Sequence, residues 1–285
     1  MFENKEEKPM DVITSGAAPV SSHLENEFHD RKRSEIKGSN SSSKIVALAE
    51  PYSPISEQYR LLFSRLDRIC KAEGKVIVAF TSSVKGEGKT TSISNMAVVA
   101  ARDFKKRCLL IDADFKNPSV AKSFQLEPGL GLIDFMSKRC TLDSILVQSQ
   151  ISNLKILPVG HIENREEMIP NMDSLREIIS KVRGQYYNVL WDESQGDFLQ
   201  MDRHDIGMYD YVFIDTPPMV PVFDMNLISE VVDAIVFVVR AGATPKYVIS
   251  KALKFLDKTK VIGSILNCAN IPWAARPYEY GYYSY

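Results

Sequence analysis

Long apolar runs are missing from this chain. Its most hydrophobic stretches are strand-sized, such as Ala234–Val239, far short of the roughly 20 residues a spanning helix needs. The first ten residues, MFENKEEKPM, are charged rather than apolar, unlike an export signal. The expectation is a cytoplasmic protein that neither spans a membrane nor is exported. Metal-binding patterns are scarce too. Cys70, Cys108, Cys140 and Cys268 lie far apart with no C-x-x-C pair, and His23 and His29 fall in a polar N-terminal stretch. That spacing argues against a zinc site or a disulfide framework and for reduced thiols. Neither charge sign dominates: 35 Lys and Arg against 36 Asp and Glu leave a net charge of −1. No overall basic field draws the chain to nucleic acid. No internal repeat is visible.

What is present is an ordinary globular composition, 45% hydrophobic and 25% charged over 285 residues. Residues 1–45 mix Lys, Glu, Ser, Gly and Asn without an apolar period and read as a disordered tail. From Pro54, the residues Ile55, Tyr59, Leu62, Phe63, Leu66 and Ile69 recur at helical spacing, with Ser56 as the expected N-cap. Strand-like runs then alternate with helical patterns: Val76–Phe80, Cys108–Asp112, Leu154–Val159, Tyr211–Asp215, Ala234–Val239 and Val261–Leu266. Such alternation predicts an α/β fold, a doubly wound and mostly parallel sheet with helices on both faces. The domain is expected over 46–271, with an acidic insertion at 188–208 and a separate tail at 272–285.

The chemistry sits where strands end. After Val76–Phe80 comes Ser83-Val84-Lys85-Gly86-Glu87-Gly88-Lys89-Thr90-Thr91, the P-loop spacing with Ser83 where glycine is usual. Gly86 and Gly88 let backbone amides curl round a phosphate chain, and the following helix presents its positive end. Lys89 is expected to bridge the β- and γ-phosphates of ATP, and Thr90 to bind Mg²⁺. Two further strands end in Asp112-Ala-Asp114 and in Asp215-Thr-Pro-Pro. In a doubly wound sheet these lie at one edge with the P-loop. Asp112, Asp114 and Asp215, with Thr90, are therefore the candidate Mg²⁺ set, and Asp112 is the carboxylate assigned to deprotonate an acceptor hydroxyl.

The C-terminus is unusual. Tyr278, Tyr280, Tyr282, Tyr283 and Tyr285 are five of the chain's twelve tyrosines, all within the last eight residues. The segment has no aliphatic residue with which to pack as core. A phenol is a phosphoryl acceptor, and a tail leaving the last strand at Asn270 can extend roughly 50 Å at about 3.3–3.6 Å per residue. The chain can therefore be its own substrate, offered to a neighbouring copy.

P-loop, Asp-x-Asp strand end, Asp-Thr-Pro-Pro and tyrosine tail together resemble the bacterial tyrosine kinases of capsule and exopolysaccharide synthesis, over about Pro51 to Tyr285. The resemblance implies ATP and Mg²⁺ at Lys89, Thr90, Asp112, Asp114 and Asp215, with Asn267 contacting adenine. It also implies phosphorylation of the tail in trans within a ring-like homo-oligomer. The partners it implies are a transmembrane polysaccharide co-polymerase that activates the kinase and holds it at the inner face of the cell membrane, and a protein-tyrosine phosphatase. Glu57 and Arg60 match the family's oligomer-contact pattern, while Phe63 departs from it; Lys116 and Lys85 stand where arginine and proline are usual. Two alternatives share the fold: a partition or division-site ATPase, and an ATP-binding chain-length regulator without catalysis. The first carries a signature lysine where this chain has Val84.

Overall fold

The computed structural model describes residues 12–14, 45–74, 76–160, 172–182, 191–192, 197–198, 209–219 and 224–269. In chain order the elements are β1 (Val12–Thr14), α1 (Val46–Ala49), α2 (Pro54–Glu73), β2 (Ile77–Ser82), α3 (Lys89–Arg102), β3 (Cys108–Asp112), α4 (Val120–Ser123), α5 (Leu132–Met136), α6 (Leu142–Ile145), β4 (Val147–Gln148), β5 (Leu154–Leu157) and α7 (Met172–Val182). They continue with β6 (Trp191–Asp192), β7 (Asp197–Phe198), β8 (Tyr211–Asp215), α8 (Asp224–Val231), β9 (Ala234–Arg240), α9 (Lys246–Leu253) and β10 (Val261–Asn267).

The main sheet has the order β1-β10-β9-β2-β8-β3-β5-β4 and is parallel except where β4 runs against β5. The α/β doubly wound reading is confirmed. Strands β2, β3 and β8 are buried along their whole length, which is why they read as unbroken apolar runs rather than alternating ones. Each face is roofed by helices. One core holds Phe63, Phe80, Phe213 and Met96 beneath α2 and α3. The other holds Leu109, Ile111, Phe237 and Leu175 beneath α5 to α9. Each such side chain contributes about 1.5–3 kcal/mol of burial.

α2 begins earlier than its sequence suggests. Ser53, not Ser56, is the N-cap: its hydroxyl accepts the Ser56 N–H at 3.2 Å, and Pro54 occupies the first turn, where its missing N–H and fixed φ cost nothing. Ser56 is instead fully buried and donates to the Glu50 carbonyl at 2.7 Å. Gly74, at φ 64°, closes the helix in the left-handed conformation. The buried stripe is Tyr59, Leu62, Phe63, Leu66 and Cys70, while Ile55 stays 39% exposed. Phe63 anchors the stripe, edge-on to Phe104 at 4.7 Å and to Tyr211 at 5.4 Å.

Two further differences from the sequence reading concern short pieces. Val12–Thr14, inside the stretch expected to lack structure, pairs in parallel with β10 at the sheet edge. Trp191–Asp192 and Asp197–Phe198, inside the expected insertion, form a small antiparallel ribbon. The tyrosine cluster at 278–285 lies outside the described residues. Among the described residues no helix is long and apolar enough to cross a membrane.

Candidate active site

The sheet order places β2 between β8 and β9, with β3 beyond β8, so the P-loop and both Asp-bearing strand ends share the carboxyl edge. Thr216 locks the arrangement by donating from its hydroxyl to the Phe80 carbonyl at 2.9 Å, and Met219 N–H reaches the Ser82 carbonyl at 2.8 Å. The Asp-Thr-Pro-Pro loop is thereby tied to the end of β2.

The loop itself needs glycine at two points. Gly86 and Gly88 have φ of 89° and 90°, a region costly for residues with a Cβ. At Gly88 a Cβ would also stand 2.0 Å from the Asn267 Nδ2. That amide donates to the Glu87 carbonyl at 2.9 Å, so Asn267 lies against the P-loop. Glu87 is 2% exposed, and its carboxylate accepts the Val84 N–H at 2.8 Å, the Thr244 hydroxyl at 2.6 Å and the Arg240 N–H at 3.3 Å. Of the loop residues picked from the sequence, Val84 and Glu87 therefore build the loop's frame. Lys85 is exposed and donates to Asn117 on the loop after β3. Thr91, in the first turn of α3, offers its carbonyl to the Asn95 side chain at 2.8 Å. Ser83 is fully buried, and its hydroxyl has no hydrogen-bond partner among the described residues.

Lys89 opens α3 and is itself buried. Its ammonium lies 2.8 Å from Asp114 and 3.7 Å from Asp215. Burial would lower its pKa, but the two carboxylates outweigh that and raise it. The Thr90 hydroxyl donates to Asp215 Oδ2 at 2.5 Å and accepts from the Ser119 hydroxyl at 3.2 Å. Asp112 is 1% exposed: Oδ1 accepts the Asp114 N–H at 3.1 Å, and Oδ2 accepts the Ser119 and Val120 N–H groups, both at 3.0 Å. Asp112 thus shapes the turn that carries Asp114. Burial, reinforced by the Asp215 charge, pushes Asp112 up to about 8; burial also pushes Asp215 up to about 6, against the pull of Lys89 and Thr90.

Asp114 and Asp215 share the single Lys89 ammonium, which leaves this edge short of positive charge. Asp215 Oδ1 is buried and accepts no hydrogen bond from any described residue. Among the described residues no three His, Cys, Asp or Glu side chains form a metal cage of their own. A divalent cation that keeps its waters and leans on nucleotide oxygens, as Mg²⁺ does, fits that donor set. Asp215 and Thr90 would hold it most directly, and bound there it would neutralise charge on the β- and γ-phosphates.

The expected oligomer contacts lie elsewhere, on α2. Arg60 spends its guanidinium within the chain, on Glu57 at 2.8 Å, Asp103 at 2.9 Å and the Pro51 carbonyl at 2.6 Å. Sequence reasoning missed the outer frame: Thr244, the Arg240 amide, Ser119 and Asn117. Ser119, a hydroxyl just ahead of the short α4, carried a recognisable signal.

Comparison with known proteins agrees with this geometry. A family model described as an AAA domain matches residues 74–262. The chain is 31% identical over 254 residues to the tyrosine-protein kinase YwqD of Bacillus subtilis, covering 87% of this chain and 94% of that one. This chain belongs to the bacterial tyrosine-protein kinases. The succinoglycan biosynthesis transport protein ExoP of Rhizobium meliloti is 27% identical over 227 residues, covering 79% of this chain but 26% of ExoP. The kinase domain of Escherichia coli tyrosine kinase ETK superposes with a TM-score of 0.65 at 22% identity, covering 96% of this chain and 95% of that one, a shared fold. For a tyrosine kinase the reaction is transfer of the ATP γ-phosphoryl group to a phenol.

Proposed function

We propose that this kinase phosphorylates Tyr278, Tyr280, Tyr282, Tyr283 and Tyr285 of a neighbouring copy, using ATP with Mg²⁺, and that the state of this tail regulates exopolysaccharide or capsule polymerisation and export. One observation carries the reading: Lys89, Thr90, Asp114 and Asp215 converge within hydrogen-bonding or ion-pair distance at the edge from which the tail departs. Asn267, where β10 ends, touches the P-loop at the Glu87 carbonyl.

The division of labour follows from the contacts. Lys89 exchanges its carboxylate partners for phosphate oxygens, and the N-terminus of the 14-residue α3 supplies amides and a positive dipole to the β-phosphate. Thr90 and Asp215, with Asp114, hold the cation. Asp112 is the proposed acceptor for the phenol's proton, through the lone pair left on Oδ1 after its single backbone bond. Phosphoryl transfer of this kind depends chiefly on alignment and charge neutralisation, which suits groups positioned by buried hydrogen bonds and ion pairs. A tail beginning after Asn267 places Tyr278 within roughly 36–40 Å of that point, at 3.3–3.6 Å per residue, enough to enter another copy's site. The name of ExoP supports a place beside polysaccharide transport, and a membrane co-polymerase as activator, a phosphatase as antagonist and a ring-like oligomer complete the proposal.

The deciding experiment mixes two proteins with labelled ATP: a chain truncated at 277 as donor, and Lys89→Met with its tail intact as acceptor. Label on the Lys89→Met chain is expected. An unlabelled Lys89→Met chain, in a mixture where the intact full-length chain run in parallel is labelled, would refute transfer in trans, and free phosphate with no labelled protein would refute the acceptor assignment.

A further inference from the structure

The side of α9 turned away from the sheet stands apart from the rest of the surface in its charge. α9 and the turn after it pack Ile249, Ala252, Leu253 and Leu256 on the sheet face opposite α2 and α3. The other side carries Lys246, Lys251, Lys254 and Lys258, all exposed, and none of them pairs with an acid among the described residues. From 246 to 260 there are five lysines and one aspartate, four net positive charges in a chain whose total is −1. Lys260 is withdrawn, donating to the Ser229 and Glu230 carbonyls, and Asp257 is turned onto Thr259. The outward charge is therefore predominantly basic, with the exposed Asp257 the one acid among these lysines. Within it stand two aromatics, Tyr247 at 75% exposure and Phe255 at 55%. The exposed side of α2 offers the contrast: Arg65 and Arg68 share it with Glu57 and Glu73, and Lys71 is paired with Asp67 at 2.7 Å.

We propose that α9 and the turn through Lys260 form a docking surface for an anionic lipid bilayer. Ammonium groups on flexible stems suit a plane of lipid phosphates, and exposed rings beside them settle at headgroup depth, which removes apolar area from water. Nucleic acid fits less well, because this face has no arginine to fork onto a phosphate or a guanine edge. Docking through α9 leaves α2 free on the far side of the sheet. It also sets the P-loop edge beside the membrane, since Thr244, which bonds Glu87, stands just ahead of α9.

The test uses the full chain without ATP, so it is independent of the kinase reaction. Sedimentation is measured with vesicles of phosphatidylcholine alone and of phosphatidylcholine mixed with phosphatidylglycerol. Each lysine near an anionic surface is worth about fivefold in partition. Lys251→Ala with Lys254→Ala is therefore expected to weaken binding to the mixed vesicles roughly 25-fold, at an unchanged thermal midpoint. Arg65→Ala with Arg68→Ala is expected to change nothing. Phe255→Trp is expected to shift its emission to the blue on mixed vesicles. Equal partition onto both vesicle types, equal losses from the α2 and α9 pairs, an unshifted tryptophan, or tighter lysine-dependent binding to a DNA duplex than to vesicles would each overturn the proposal.

Discussion

Replacing Thr244 by valine keeps the side chain's shape and deletes one O–H, and its consequence can be worked through the Glu87 frame. Glu87 Oε1 accepts the Thr244 hydroxyl at 2.6 Å and the Arg240 N–H at 3.3 Å, while Oε2 holds the Val84 N–H at 2.8 Å. Without the hydroxyl, a carboxylate that is 2% exposed keeps only the long bond on one oxygen. A hydrogen bond to a charged group contributes about 1.5–3 kcal/mol. For a domain of this size that lowers the thermal midpoint by roughly 3–12 °C. Because the same carboxylate sets the path of the P-loop, at least ~1.4 kcal/mol of the loss is expected to reappear as about tenfold weaker ATP affinity. Calorimetry and titration with a fluorescent ATP analogue measure the two effects, and Thr244→Ser should restore both. If Thr244→Val matched the parent in both assays, or Thr244→Ser fell as far as Thr244→Val, the frame would have no part in nucleotide binding.

Lys89→Met strips the cation from Asp114 and Asp215; breaking a buried pair costs about 3–5 kcal/mol, so added Mg²⁺ should raise the thermal midpoint of this variant more than that of the parent, and equal shifts would contradict the crowding of negative charge at this edge. Gly88→Ala forces an unfavourable φ and a contact 2.0 Å from the Asn267 amide; loss of about 2 kcal/mol of stability, together with loss of labelling, is expected, and normal ATP binding would count against the geometry. Phe63→Ala empties a fully buried site between Phe104 and Tyr211, for an expected loss of about 3–5 kcal/mol in urea unfolding. Asp67 is pushed up by burial but pulled further down by Lys71 and by the Tyr211 hydroxyl, so its pKa lies below the ordinary 3.8. A depressed carboxylate adds stability above its unfolded value and loses it as pH falls through the folded one. Asp67→Asn should therefore flatten the stability curve below about pH 4, which unfolding at stepped pH would detect.

The parts of this kinase legible in its sequence are those whose chemistry fixes a spacing. A turn with φ near 90° demands glycine at 86 and 88, the P-loop spacing puts Lys89 at the start of α3, and a strand buried on both faces stays apolar until its end, so Asp112 and Asp215 announce themselves. What escaped notice was held by contacts between distant segments. Glu87 looks like any loop carboxylate until Thr244, 157 positions away, is seen to donate to it. Ser53 and Ser56 are both good caps, and the choice falls to the first because Ser56 is spent on Glu50. The helices α4, α5 and α6 span 4, 5 and 4 residues, too few for a 3.6-residue period to register. Val12–Thr14 is a strand only because β10 offers it an edge.

The long-range pairing of β2 has a further consequence, for biosynthesis. Val78 is matched with Ala234 and Ile77 with Val212, and the Asn267 amide meets a residue 180 positions earlier. At about 5–20 residues per second, a ribosome takes roughly 10–40 s to travel from the lysine codon at 89 to the asparagine codon at 267. Throughout that interval the nascent chain has a phosphate loop with no walls. Completion of the proposed nucleotide site therefore waits for β10, and the tyrosine-bearing segment follows that strand within a few residues, so the site and its proposed substrate segment are made almost together.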